Sequence, residues 1–173
     1  PIRRFYGVRG NELIYMITRR CTDKCAKCGI WETPEADKDH IPVSCFIDCM
    51  NRLQDNLYQV TLTGGEPLVF KDDVLLIARE AAKQNIPMVT VTNGVLLDEA
   101  FLQEYGRLGH VLVISLDTLD RDKWLSFRGL EHYDKVMGNI SLAIRILKNK
   151  LRIQSVLSSE SRGEIPGIKK FCV

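Results

Sequence analysis

Cys21, Cys25 and Cys28 form a C-x3-C-x2-C run inside residues 18–31, which read T-R-R-C-T-D-K-C-A-K-C-G-I-W. Three thiols at this spacing can converge on one small object. A closed structural site for a zinc ion takes four ligands, and all-cysteine iron–sulfur clusters also use four thiolates. Three thiolates on an iron–sulfur cube would leave one iron open to an outside ligand, and a loop this short suits that task. The residues alone leave two other readings. One is a zinc site with His40 or Cys45 as the fourth ligand, although structural zinc sites commonly pair two separated C-x2-C-like units. The other is structural cysteines, where three of the six are too crowded to suggest pairing with one another. The first residues show no apolar signal segment that would point to an oxidising compartment.

The loop has to be held by something, and the chain around it alternates two periodicities. Short apolar, β-branched runs predict strands at 13–17, 59–63, 88–92, 111–115 and 151–157. Between them lie stripes at helical spacing. Phe46, Met50, Leu53 and Leu57 follow Ser44 as N-cap, and Val74, Leu75, Ala78, Ala81 and Ala82 follow the acidic start Asp72-Asp73. Phe101, Leu102, Tyr105 and Leu108 run from an Asp98 cap to Gly109 at C′, and Val136, Met137, Ile140, Ala143, Ile144 and Leu147 make the last stripe. Residues 1–12 read as a lead-in and residues 117–133 as a long polar loop, while residues 165–173 are too few to assign. Strand–helix–strand units of this length mean right-handed crossovers and a parallel sheet. Five strands fall short of the eight of a closed barrel of about 250 residues. The expectation is one α/β domain over residues 1–173. The start at Pro1 and stop at Val173 are read as those of a fragment of a longer chain.

In parallel βα folds, ligands bind at the C-terminal ends of the strands. The cysteine loop follows strand one, Gly64-Gly65-Glu66-Pro67 strand two, Thr92-Asn93-Gly94 strand three, and Ser115 and Asp117 strand four. Each has a bland explanation: a glycine turn, an Asn-Gly turn, a loop cap. Their shared position is the stronger argument.

The C-x3-C-x2-C run followed by Gly29-Ile30-Trp31, together with Gly64-Gly65-Glu66-Pro67 after the next strand, resembles the radical S-adenosylmethionine (SAM) superfamily over about residues 13–157. The resemblance implies a partial (β/α)6 TIM-like barrel, truncated here after about five strands. It implies that Cys21, Cys25 and Cys28 hold a [4Fe-4S] cluster whose fourth iron is chelated by SAM, and that an electron through the cluster cleaves SAM to methionine and a 5′-deoxyadenosyl radical. By the same resemblance Gly64, Gly65, Glu66 and Pro67 approach SAM's amino group, with Glu66 as charge partner. Ser115 and Thr92 bind its carboxylate or ribose, Asn93 and Asp117 belong to the same cofactor-binding set, and Arg128 matches an Arg-Gly pair after strand four, against the alternative of a surface arginine. Lys27 stands where the family often has an aromatic residue, leaving a backbone contact to adenine. The flanking sequences look most like the grouping of molybdopterin-precursor cyclases and peptide-modifying enzymes, so the expected substrate is a small molecule or a peptide.

Composition bounds the rest. The 173 residues are 45% hydrophobic and 27% charged with a net charge of +2, which indicates neither nucleic acid nor a membrane surface. No apolar run is long enough to span a bilayer. A reducing cytoplasm suits free thiols. Cys45 and Cys49, one helical turn apart, are expected to be buried as small hydrophobes, and His40, His110 and His132 to be ordinary polar residues. Arg19, Arg20, Lys24 and Lys27 ring the loop and could dock an acidic electron donor such as flavodoxin or ferredoxin. The contrasting function is a non-catalytic zinc or iron–sulfur module acting in partner binding or electron transfer.

Overall fold

The computed structural model describes residues 11–32 and 41–172. In chain order the elements are β1 (Asn11–Met16), α1 (Val43–Leu53), β2 (Leu57–Thr63), α2 (Lys71–Lys83), β3 (Met88–Thr92), α3 (Glu99–Arg107), β4 (Val111–Ser115), α4 (Arg121–Arg128), α5 (Tyr133–Leu147), β5 (Leu151–Gln154) and α6 (Ile165–Phe171). The five strands form one sheet in the order β1-β2-β3-β4-β5, and every neighbouring pair is parallel. This is the parallel α/β sheet expected from the strand–helix rhythm, in the partial TIM-like form that the resemblance implied.

The core lies between the sheet and α1, α2, α3 and α5. Val60, Leu62, Leu112 and Ile114 point into it and meet Val74, Ile77, Ala78, Leu102, Ile140 and Ala143, all fully enclosed. Burying each such aliphatic side chain is worth roughly 1.5–3 kcal/mol. Along β1 and β2 burial alternates with the two-residue period of a strand. Tyr15 and Leu62 are buried, whereas Ile14 and Met16 on the opposite face are 60% and 51% exposed. The helices thus cover one face of the sheet.

Local signals explain several boundaries. Asp98 Oδ1 accepts from the Phe101 amide at 2.8 Å and starts α3, and Gly109 follows it at φ 78°, as the capping pattern requires. Ser44 does not cap α1: the helix begins one residue earlier, behind Pro42, with no side-chain cap. β5 ends at Gln154, sooner than the apolar run suggested. The stretch read as a polar loop contains α4, whose Asp120 carboxylate accepts from the Asp122 amide at 2.9 Å and whose C-cap Gly129 takes the left-handed conformation. Residues too few to assign from sequence form α6 behind Glu164. Cys45 and Cys49 are exposed rather than buried. His110 is no ordinary polar residue: it is buried, with its Nε2 at 2.8 Å from the Ala78 carbonyl. His40 lies outside the described residues. No helix among the described residues is long and apolar enough to cross a membrane.

Candidate active site

The cysteine loop is gripped first by the end of β2. The Ile17 amide donates to Thr63 O at 3.0 Å, Gly65 N to Thr18 O at 2.7 Å and Glu66 N to Arg20 O at 2.7 Å. Gly64 has φ 140°, and a β-carbon there would strike the Thr18 carbonyl, as one on Gly65 would strike that of Arg20. The missing side chains at these two positions make room for the loop's own backbone.

Glu66 reaches inward. Its side chain is fully buried. Oε1 accepts from the Leu68 amide at 2.9 Å and the Thr92 hydroxyl at 2.6 Å, and Oε2 from the Asn93 amide at 2.7 Å. Burial pushes its carboxyl above the ordinary range, while the bonds from Thr92, Asn93 and Leu68 pull the other way. The carboxylate therefore ties the end of β2 to the end of β3, and Pro67 opens a 3-10 turn behind it. Thr92 is buried too, donating to Glu66 and accepting from the Gly94 amide at 3.1 Å. Asn93 does reach the loop: its Nδ2 donates to Thr22 Oγ1 at 2.8 Å and stands 3.7 Å from Cys21 Sγ.

The other grip comes from the end of α4. Lys24 N donates to Arg128 O at 3.0 Å and Ala26 N to Phe127 O at 3.3 Å, on either side of Cys25. A β-carbon on Gly129 would collide with the Lys24 carbonyl. Arg128 is 3% exposed, which overturns the surface-arginine reading. Its Nη2 donates to the Ser115 carbonyl, and its guanidinium lies 3.5 Å from Asp117, 3.6 Å from Asp23 and over the Trp124 ring, on the same cavity wall as Cys25. Burial pushes the Cys21 thiol up to about 11. It also raises Cys25, with Arg128 opposing. Binding metal as thiolate must therefore release protons.

Cys25 and Cys28 open onto a cavity of about 580 Å³ at the C-terminal ends of β4 and β5, within the roughly 300–1,000 Å³ of small-molecule sites. Ser115, Asp117, Phe127 and Arg128 line it. Lys27 turns to its rim, where it pairs with Glu160 and Ser158 and lies 5.9 Å from the Phe127 ring centre. Gln154 and Val156 complete the wall. Gln154 was missed by sequence reading because the apolar run carried strand five on to residue 157, whereas the strand ends at Gln154. Phe127 and Asp23 carried no local signal.

The donor set fits a cube with one open iron. Three cysteines sit on one loop braced from both sides, and two of them face the cavity where an outside ligand to the cluster could enter. Cys45, the suggested fourth zinc ligand, is exposed on α1.

A parallel βα sheet that carries a three-cysteine loop beside a cavity at its strand ends defines a cofactor-dependent enzyme core. The radical SAM superfamily matches residues 15–171, and the chain belongs to that superfamily, whose enzymes use a [4Fe-4S] cluster and SAM. It is 30% identical to a GTP 3′,8-cyclase of Rhodopirellula baltica over 97% of this chain and 48% of that protein. It is 28% identical to molybdenum cofactor biosynthesis protein 1 of Drosophila melanogaster over 84% of this chain and 26% of that one. The chain spans about half the length of most of the curated relatives it matches. Among solved structures, Streptococcus suis SuiB bound to S-adenosylmethionine superposes with TM-score 0.81 at 20% identity, covering 99% of this chain and 40% of that one. The anSMEcpe enzyme with AdoMet and a Cp18Cys peptide gives 0.73 at 20% identity, covering 92% and 46%.

Proposed function

We propose that this domain binds a [4Fe-4S] cluster through Cys21, Cys25 and Cys28, binds SAM in the adjoining cavity, and directs hydrogen abstraction from a substrate lying on the uncovered sheet face. The observation that carries this is the double grip on the cysteine loop, by residues 64–66 on one side and 127–129 on the other, with Cys25 and Cys28 left open to the cavity. Bound there, the cluster and SAM would supply reductive one-electron radical chemistry, the electron coming from an outside donor. The protein's share is orientation and exclusion of side reactions. Ser115, Asp117 and Gln154 offer polar partners for SAM, Phe127 an aromatic face, and Lys27 a backbone contact and a tie across the rim. Gly64, Gly65, Glu66, Pro67, Thr92 and Asn93 shape the wall behind Cys21, and Arg128 sets the charge beside Cys25.

The substrate is a small molecule or a peptide. Relatives named as GTP 3′,8-cyclases and a similar structure bound to precursor peptide SuiA support one class each. Arg19, Lys24 and Lys27 beside the loop suit an acidic electron donor such as flavodoxin or ferredoxin, in a reducing cytoplasm. The single sheet and continuous core support reading residues 1–173 as one domain.

The test is anaerobic reconstitution followed by iron and sulfide analysis, electron paramagnetic resonance with and without SAM, and chromatography for 5′-deoxyadenosine after dithionite reduction. About four irons and four sulfides per chain, a SAM-dependent change in the spectrum and release of the nucleoside are expected. Stoichiometric zinc without iron, or a cluster blind to SAM, would establish instead a non-catalytic zinc or electron-transfer module.

A further inference from the structure

We propose that Asp23 is a positioning residue whose buried carboxylate is the fixed counter-ion of Arg128, holding the guanidinium on the cavity wall it shares with Cys25 and keeping the reduction potential of the cluster low. This inference rests on the reading of Cys21, Cys25 and Cys28 as cluster ligands.

Asp23 sits between two of those cysteines, in a loop, yet it is only 1% exposed. A loop aspartate normally finds water or caps a turn. Here neither carboxylate oxygen has a hydrogen-bond partner among the described residues, while the amide of the same residue donates to Cys21 Sγ at 3.4 Å. Burying a charge is costly unless an opposite charge meets it. That charge is Arg128, 3.6 Å away.

Arg128 has a second carboxylate, Asp117, at 3.5 Å, but the two partners differ in access. The Asp117 side chain is 18% exposed and lines the cavity, whereas that of Asp23 is 1% exposed and lies behind it. A ligand entering the cavity can compete with Arg128 for Asp117. It cannot reach Asp23. The permanent balance of charge next to Cys25 is therefore the Asp23–Arg128 pair. An iron–sulfur cluster becomes more negative on reduction, and its potential follows net charge and hydrogen bonding around the sulfurs. An uncompensated guanidinium close to a ligand thiolate would favour the reduced form, the more so in a dry site. Asp23 cancels that cation.

The experiment compares wild type with Asp23→Asn, which keeps the shape and removes the charge. Both are reconstituted anaerobically, analysed for iron and sulfide, and titrated redox-potentiometrically by electron paramagnetic resonance. Equal iron content and a more positive midpoint potential in Asp23→Asn are expected. Asp23→Glu should return the midpoint toward wild type. In Asp23→Asn/Arg128→Gln, where both charges are gone, the midpoint should also return, because coupled residues deviate from additivity. An unchanged midpoint at full iron loading overturns the inference and leaves the cluster assignment standing. An Asp23→Asn chain with wild-type circular dichroism that takes up no iron overturns it too, since Asp23 would then be only a structural brace. Wild type that itself takes up no iron removes the cluster assignment and this inference together.

Discussion

The carbonyl oxygen of Arg20, one residue before the first cysteine, accepts the amide of Glu66 at 2.7 Å. The cysteine loop therefore enters its curve already hydrogen-bonded to the Gly-Gly-Glu-Pro segment. A β-carbon on Gly65 would fall on that same carbonyl.

Gly65→Ala should displace the loop and cost on the order of 1–3 kcal/mol. Gly129→Ala should act from the opposite side, with added strain from its φ of 72°. Gly138→Ala, whose β-carbon would meet nothing within 4 Å, should be neutral or stabilising in its helix. Urea denaturation and iron uptake read all three. Full iron uptake by both Gly65→Ala and Gly129→Ala would remove the double-grip account.

Any one of Cys21→Ala, Cys25→Ala and Cys28→Ala should abolish the brown colour and iron content of reconstituted protein. Cys45→Ala and Cys49→Ala, at exposed positions on α1, should leave both intact. Iron lost on changing Cys45 would place a ligand outside the loop.

Glu66 collects three donors with two oxygens. Glu66→Gln turns one acceptor into a donor facing donors, and a buried group left unsatisfied costs about 1–3 kcal/mol. Thr92→Val, which removes one of those donors, should cost less. Equilibrium unfolding measures both, and an unaffected Glu66→Gln would show that the carboxylate is not the tie between β2 and β3.

His110 gives a pH signature. Burial pushes its imidazole below the ordinary 6.5, so the folded state binds its proton less tightly than the unfolded state does. Its contribution is complete above pH 6.5 and is lost as pH falls from there toward the folded value. Thermal midpoints should drop across that acid window, and His110→Gln should flatten the drop. Parallel pH profiles for the two proteins would assign the acid sensitivity elsewhere.

The parts of the site legible in the sequence were those with a local signature. The cysteine spacing, the double glycine and the ends of the first four strands were visible because turn residues interrupt apolar runs there. α4 was hidden because its segment R-D-K-W-L-S-F-R is mostly polar, and only Trp124 and Arg128 are buried. The enclosure of Arg128 and Asp23 comes from packing α4 onto the cysteine loop, which no local pattern encodes. Cys45 and Cys49 are a different case. Each is one position before Phe46 and Met50 on the α1 stripe, about 100° around the helix, so their exposure was written in the periodicity.

The two grips on the cysteine loop have a consequence for the order of assembly. One hand comes from the turn after β2 and the other from the end of α4, which is reached only after β3, α3 and β4 have been laid down. Long-range pairings of this kind form late, because the intervening chain must be ordered before they repay its closure. A nascent chain that has emerged only as far as β3 carries all three thiols and one hand. On the proposed reading, the geometry that would receive the metal is finished when Gly129 seats beneath Lys24, which would make cluster delivery an event for the folded domain and leave the thiols of the growing chain open to oxidation until then.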